Sequence, residues 1–136
     1  MQTQQTSAVA GPTVLLVEED VLIRMPIADY LRDCGYRVVE AASGTEALMV
    51  LRQPNLTVDA LFTDAQLSGT VDGFGLAQWV RQNRPGAQIV MAGSPRRAAK
   101  EAGKLCEEGP MLAKPYEPQV VEGRIRQLLA ARRRWN

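Results

Sequence analysis

The chain has 136 residues and a formal net charge of +1, enough length for one domain with its own core and no global field to draw it to nucleic acid or a membrane surface. It contains no histidine, which excludes Ser-His-Asp and Cys-His catalysis and any histidine-ligated metal; a hard cation held by carboxylates stays open. It has no run of about 18 apolar residues, so no membrane span is expected.

Residues 1–12 are rich in Gln, Thr, Ser and Ala, with no basic start followed by an apolar block. They read as a disordered lead, not a signal peptide. Thr13-Val14-Leu15-Leu16-Val17 is a first strand, apolar enough to be buried on both faces. Asp20 can cap the helix that follows, in which Ile23, Ile27, Tyr30, Leu31 and Cys34 recur at helical spacing and Gly35 closes the end. Pro26 lies inside this pattern, removes one backbone bond and should kink the first turns. Cys34 and Cys106 fall late in predicted helices and form no C-x-x-C pair, which fits a reduced, cytoplasmic setting with both thiols buried as small apolar groups.

Tyr36 to Glu40 is a second strand, and Ser43-Gly44-Thr45-Glu46 is a capping box that opens a second helix with Ala47, Leu48 and Leu51 inward. Val58 to Asp64 is a short buried strand ending on a carboxylate. A loop over 65–72 leads to a third helix starting at Gly73 and closed by Arg84-Pro85-Gly86, with Trp79 open between core and surface. Ala87 to Met91 is a fourth strand, followed by the small polar turn Ala92-Gly93-Ser94. Pro95 opens a mostly polar fourth helix, Met111-Leu112-Ala113 is a very short fifth strand, and Lys114-Pro115 follows. A last helix from Pro118 carries Val121, Ile125, Leu128 and Leu129 on one face and ends in a basic tail over 132–136. That basic end reads as a solvated terminus with a favourable helix dipole, and nucleic acid is not expected as a partner.

Five β-α units in alternation argue for an α/β fold: a five-stranded parallel sheet with five helices covering both faces. Right-handed crossovers and the order 2-1-3-4-5 put strand 1 beside strand 3 at the switch point. Glu18, Glu19 and Asp64 would then share one crevice. Carboxylates at adjacent strand ends repel one another unless a cation neutralises them, and oxygen-only ligands favour Mg²⁺. Lys114 would bring a mobile point charge suited to a phosphoryl oxygen. The chemistry expected is a small Mg²⁺ site with one carboxylate able to act as nucleophile, aspartyl phosphate formation being a known use. The plainer alternative is a solvated turn with an N-cap at Glu18-Glu19-Asp20, and a surface lysine at Lys114.

Leu15-Leu16-Val17-Glu18-Glu19-Asp20, Leu61-Phe62-Thr63-Asp64, Asp72-Gly73-Phe74 and Lys114-Pro115-Tyr116 together resemble the receiver domain of two-component response regulators. The likeness runs over residues 13–131 and implies the flavodoxin-like, doubly wound form of the fold above. It implies a stand-alone, cytoplasmic phosphorelay protein that accepts a phosphoryl group on Asp64 from a histidine kinase or a histidine phosphotransfer protein and then signals by protein contacts. It is not an enzyme on this reading, slow self-dephosphorylation being the one activity left open. Glu18 and Glu19 match the acidic pair, Glu19 the direct ligand of Mg²⁺; Gln66 would offer its backbone carbonyl to the ion; Lys114 would contact the phosphoryl group. The partner and homodimer surface of the family is the face of the fourth helix, fifth strand and fifth helix, to which Ala98, Ala99, Ala102, Leu105, Cys106 and Met111 could contribute; the plainer reading is that they pack on the sheet, and Leu105 is expected to do so.

The chain departs from the family at defined positions. Glu19 is one methylene longer than the usual Asp. Gly93, with Ser94 beside it, stands where a Ser or Thr hydroxyl is usual, and Met111 where an aromatic is usual. Ser68 stands where proline is common. The acceptor and the lysine are kept while both halves of the usual switch relay are missing. This leaves a pseudo-receiver, a phosphorylation-independent interaction module, as the alternative. A Mg²⁺-dependent aspartyl phosphatase is disfavoured by Gln66, where a second carboxylate is needed. A flavodoxin-like cofactor binder is disfavoured by the acidic loop after the first strand, which repels phosphate.

Overall fold

The computed structural model describes residues 11–93, 112–113 and 117–135. Its strands are β1 (Thr13–Val17), β2 (Arg37–Ala41), β3 (Ala60–Asp64), β4 (Gln88–Gly93) and β5 (Leu112–Ala113), and its described helices are α1 (Val21–Asp33), α2 (Gly44–Leu51), α3 (Gly73–Asn83) and α4 (Pro118–Trp135). All pairings are parallel, in the order β2-β1-β3-β4-β5, with β5 a two-residue pairing of Leu112 and Ala113 to Ala92 and Gly93. The fourth helix expected over 95–107 lies outside the described residues, as does Cys106.

Alternation along the central strands builds two cores. Leu15, Val17, Leu61, Ile89 and Met91 face α2 and α3, where Ala47, Leu51, Leu76 and Val80 complete one cluster. Val14, Leu16, Ala60, Phe62, Val90 and Ala92 face α1 and α4, where Ile27, Leu31, Val121, Ile125 and Leu129 complete the other. Every residue of β1 and β3 is buried, as expected for parallel strands covered on both faces. Trp79 is partly buried against the first core.

Local chemistry explains most element ends. Asp20 caps α1, its carboxylate accepting the Leu22 amide at 2.9 Å. The helix then runs through Pro26, which sits exposed on it. Ser43 caps α2 by accepting the Glu46 amide at 3.1 Å, and Glu46 answers by accepting the Ala42 amide at 2.7 Å, one residue before the cap. Gly35 takes φ +99° just after α1, a left-handed turn that needs no Cβ.

Two sequence expectations are corrected. Cys34 is exposed, not buried: the inward stripe of α1 is Ile27, Ala28 and Leu31, and Cys34 is the C-cap, past the last turn that meets the sheet. The basic end of α4 is more than a solvated terminus. Arg132 donates to the Gly86 carbonyl at 3.0 Å and pairs with Asp59 at 3.3 Å, tying the helix to the N-terminal ends of β3 and β4.

Candidate functional site

β1 and β3 are neighbours, with Leu16 paired to Phe62 and Val17 to Thr63. The next residues, Glu18 and Asp64, therefore leave the sheet side by side, on the same alternation as Leu16 and Phe62. Both are nearly buried, at 2% and 5% relative exposure, which is rare for carboxylates unless they are held by polar partners.

Among the described residues, those partners include backbone groups. The Glu18 amide donates to the Ala41 carbonyl at 3.1 Å, which extends the β1–β2 ladder by one residue. Its side chain accepts the Asp20 amide at 3.0 Å, and its carbonyl accepts Arg24 Nη1 at 2.8 Å. Arg24 is itself fixed by Glu40, Nε to Oε1 at 3.0 Å. One oxygen of Asp64, Oδ1, accepts the Gln66 amide at 3.0 Å. The Asp64 carbonyl accepts the hydroxyl of fully buried Thr63 at 3.0 Å. Just beyond, the Ala65 amide donates to the Ala92 carbonyl at 2.7 Å, and the Gly73 amide to the Ala65 carbonyl at 3.2 Å.

Two glycines press on the loop over 65–72. A Cβ on Gly73 would lie 2.2 Å from the Asp64 carbonyl oxygen, and one on Gly44 would lie 2.1 Å from the Val71 carbonyl oxygen. The start of α3 is thus seated directly on the Asp64 backbone, and the start of α2 on the far end of the loop. Asp72 caps α3 by accepting the Gly75 amide at 2.9 Å.

Glu19 takes a different direction from its neighbour. Its exposed carboxylate accepts both the amide and the hydroxyl of Ser68, in short bonds from the middle of the same loop. By type, Glu18, Glu19 and Asp64 suit a hard cation, because all their donors are oxygen. By position, Glu18 and Asp64 fit, while Glu19 is engaged with Ser68. Among the described residues no three acidic or cysteine side chains converge as a metal-holding group. Gln66 is exposed, two residues after Asp64.

Gly93 is the buried last residue of β4, one position beyond the Ala92 that pairs with Asp64. It contributes no hydroxyl to the crevice. Ser94, Met111 and Lys114 lie outside the described residues, as do Ala98, Ala99, Ala102 and Leu105. No helix of the described residues is long and apolar enough to cross a membrane.

Sequence reasoning left out Arg24, Thr63 and Gly73 as parts of this site. Asp72-Gly73 carried a signal, since a glycine opening a helix loses propensity unless close packing requires it. Arg24 carried none, because nothing in its spacing marks it as a partner of the Glu18 carbonyl.

The comparisons agree with this geometry. The family model for the response regulator receiver domain matches residues 14–126. A curated relative, "Probable transcriptional regulator ycf27" of Cyanophora paradoxa, is 32% identical over 118 residues, covering 85% of this chain and 47% of the relative. The chain thus spans about half the length of the curated relatives it matches. Among solved structures, a response regulator receiver protein from Sinorhizobium medicae WSM419 is 27% identical with a TM-score of 0.82, covering 93% of this chain and 99% of that one. The receiver domain of the hybrid histidine kinase CckA is 28% identical with a TM-score of 0.70, covering 86% and 98%. A buried carboxylate at the end of β3, an acidic neighbour just after β1 and a family match over most of the chain lead to one conclusion: this chain belongs to the response regulator receiver domain family.

Proposed function

We propose that this receiver accepts a phosphoryl group on Asp64 and passes the signal on through protein contacts. The observation that carries the reading is the position of Asp64: buried at the end of β3, beside Glu18, with one carboxylate oxygen held by the Gln66 amide. A carboxylate held in one orientation has already lost the freedom that a nucleophile must give up to attack in line. In the step, a carboxylate oxygen of Asp64 forms a bond to phosphorus while the bond from phosphorus to the donor's histidine nitrogen breaks. The nitrogen keeps the electron pair, and an acyl phosphate remains on Asp64. The donor is a histidine kinase or a histidine phosphotransfer protein, a reading supported by the similar receiver domain of a hybrid histidine kinase.

Mg²⁺ is the cation proposed, held by Asp64 and Glu18, with Glu19 and the Gln66 carbonyl as further donors. When bound, it supplies charge neutralisation for the carboxylates and for the incoming phosphoryl oxygens. Lys114, which follows β5 in the chain, is assigned to the phosphoryl group as a second positive charge. The protein acts in the cytoplasm on this reading.

A second reading is a pseudo-receiver that signals without phosphate. Two observations favour it: the engagement of Glu19 with Ser68, and the absence of a hydroxyl on Gly93. One experiment separates the two. Purified protein is incubated with a small phosphodonor and Mg²⁺ and weighed intact, beside Asp64→Asn. A phosphoryl adduct lost in the variant supports the acceptor. No adduct on the wild type supports the pseudo-receiver.

A further inference from the structure

We infer that Ser68 is a positioning residue that competes with Mg²⁺ for the Glu19 carboxylate, so that loading the cation and holding the acceptor loop are alternative states of one side chain. The inference rests on the cation reading above and goes beyond it.

Both donors of Ser68, amide and hydroxyl, land on the same oxygen of Glu19, Oε2, across 49 residues of sequence. This contact bridges the loop after β1 to the loop after β3, four residues beyond Asp64. The longer glutamate side chain makes that reach, where an aspartate would stop one methylene shorter. Mg²⁺ demands near-ideal octahedral distances and tolerates little slack in its ligands. Among the described residues no group of three acidic side chains is gathered as a metal-holding cluster, and Glu19 is one of those engaged elsewhere, with Ser68. For Glu19 to serve the ion, its carboxylate must leave Ser68, and the energy of two charge-assisted bonds is subtracted from cation affinity. The loop over 65–72 is already seated by Gly73 on Asp64 and by Gly44 on Val71. Its middle is where release of Ser68 can be felt without unseating either end. The cation would therefore change the freedom of the acceptor loop as well as its charge. The coupling is reciprocal: what loosens the clasp must tighten the ion.

The test is an NMR titration of ¹⁵N-labelled protein with MgCl₂. Ser68→Ala removes the hydroxyl bond and should tighten Mg²⁺ about three- to tenfold, the effect of one charge-assisted bond discounted for exposure. Ser68→Pro removes the amide donor as well and should tighten it further. Ser68→Thr keeps both donors and should retain the wild-type affinity. In the wild type, the Ser68 amide should exchange faster once Mg²⁺ is added, and faster without Mg²⁺ in Glu19→Gln. Glu18→Gln and Asp64→Asn test the cation reading separately. If the wild type binds through these carboxylates but Ser68→Ala and Ser68→Pro leave the affinity unchanged or weaker, the competition is refuted and the cation reading stands. If neither the wild type nor any Ser68 variant binds, both fall.

Discussion

The seating of α3 on the Asp64 backbone gives the sharpest prediction. In Gly73→Ala the new Cβ would lie 2.2 Å from the Asp64 carbonyl oxygen, 2.7 Å from Ala65 Cα and 2.9 Å from the Asp64 carbonyl carbon. All three are backbone atoms, so no flexible side chain can give way. Relief requires the helix start or the β3 end to move by about 1 Å, and overpacking of this kind costs about 1–3 kcal/mol. With Asp64 as the proposed nucleophile, a displacement of that size costs up to about 100-fold in rate, because the attacking oxygen must stay aligned. Gly75→Ala is the matched control on the same helix. Its Cβ would meet Asp72 Oδ1 at 3.5 Å and Val71 Cγ1 at 3.8 Å, ordinary contacts, and alanine should add up to about 1 kcal/mol through helix propensity. Urea denaturation and the initial rate of phosphorylation by a small phosphodonor read the two effects. Gly73→Ala should lose stability and rate together, while Gly75→Ala should lose neither. If Gly73→Ala proved as stable and as fast as Gly75→Ala, the claim that helix seating positions the acceptor would be wrong.

Three further outcomes follow from contacts away from the acceptor. Ser43→Ala should lower stability by about 1 kcal/mol through loss of the α2 cap, measured by urea midpoint, with little change in phosphorylation rate. Arg84 donates to the carbonyls of Leu51 at 2.7 Å, Leu56 at 2.8 Å and Gln53 at 3.0 Å, closing the end of α2. Arg84→Met should cost about 1.5–3 kcal/mol in the same assay. Burial, with the hydrogen bond to Glu122, pushes the Tyr36 phenol up to about 12 from 10.0. The raised value means the folded state keeps the proton longer than the unfolded chain. Tyr36 therefore contributes stability that is intact below pH 10.0 and is lost as pH rises toward 12. The stability difference between wild type and Tyr36→Phe should shrink as pH rises from about 10 to about 12, seen as converging urea midpoints. An unchanged difference would show that the phenol is not held this way.

What could be read from the sequence follows the range of each signal. Mostly apolar runs made β1 and β3 legible, and the strand alternation with them, because a parallel strand covered on both faces needs that composition. Asp64 at the end of β3 followed from the same run, and the family resemblance then gave it a role. The capping box at Ser43 and the cap at Asp20 are local chemistry, complete within four residues. Cys34 was misread because periodicity continues on paper past the last turn that touches the sheet. The contacts that shape the site were not legible for a different reason. Glu19 with Ser68, Arg24 with the Glu18 carbonyl, and Arg132 with Asp59 depend on how separate loops and helices are brought together, and no spacing encodes them. Ser68 was visible only as a departure from the proline common there, and its partner emerged from the fold.

The central claim is that the carboxylate closing β3 receives the phosphoryl group. The most direct measurement is hydride reduction of the phosphorylated protein followed by peptide mapping, since borohydride converts an aspartyl phosphate to homoserine and marks the residue that carried it. The account predicts homoserine at position 64 alone, dependent on the phosphodonor and absent in Asp64→Asn. Homoserine at another acidic residue such as Asp72, or none from a protein that has gained a phosphoryl group, would contradict it.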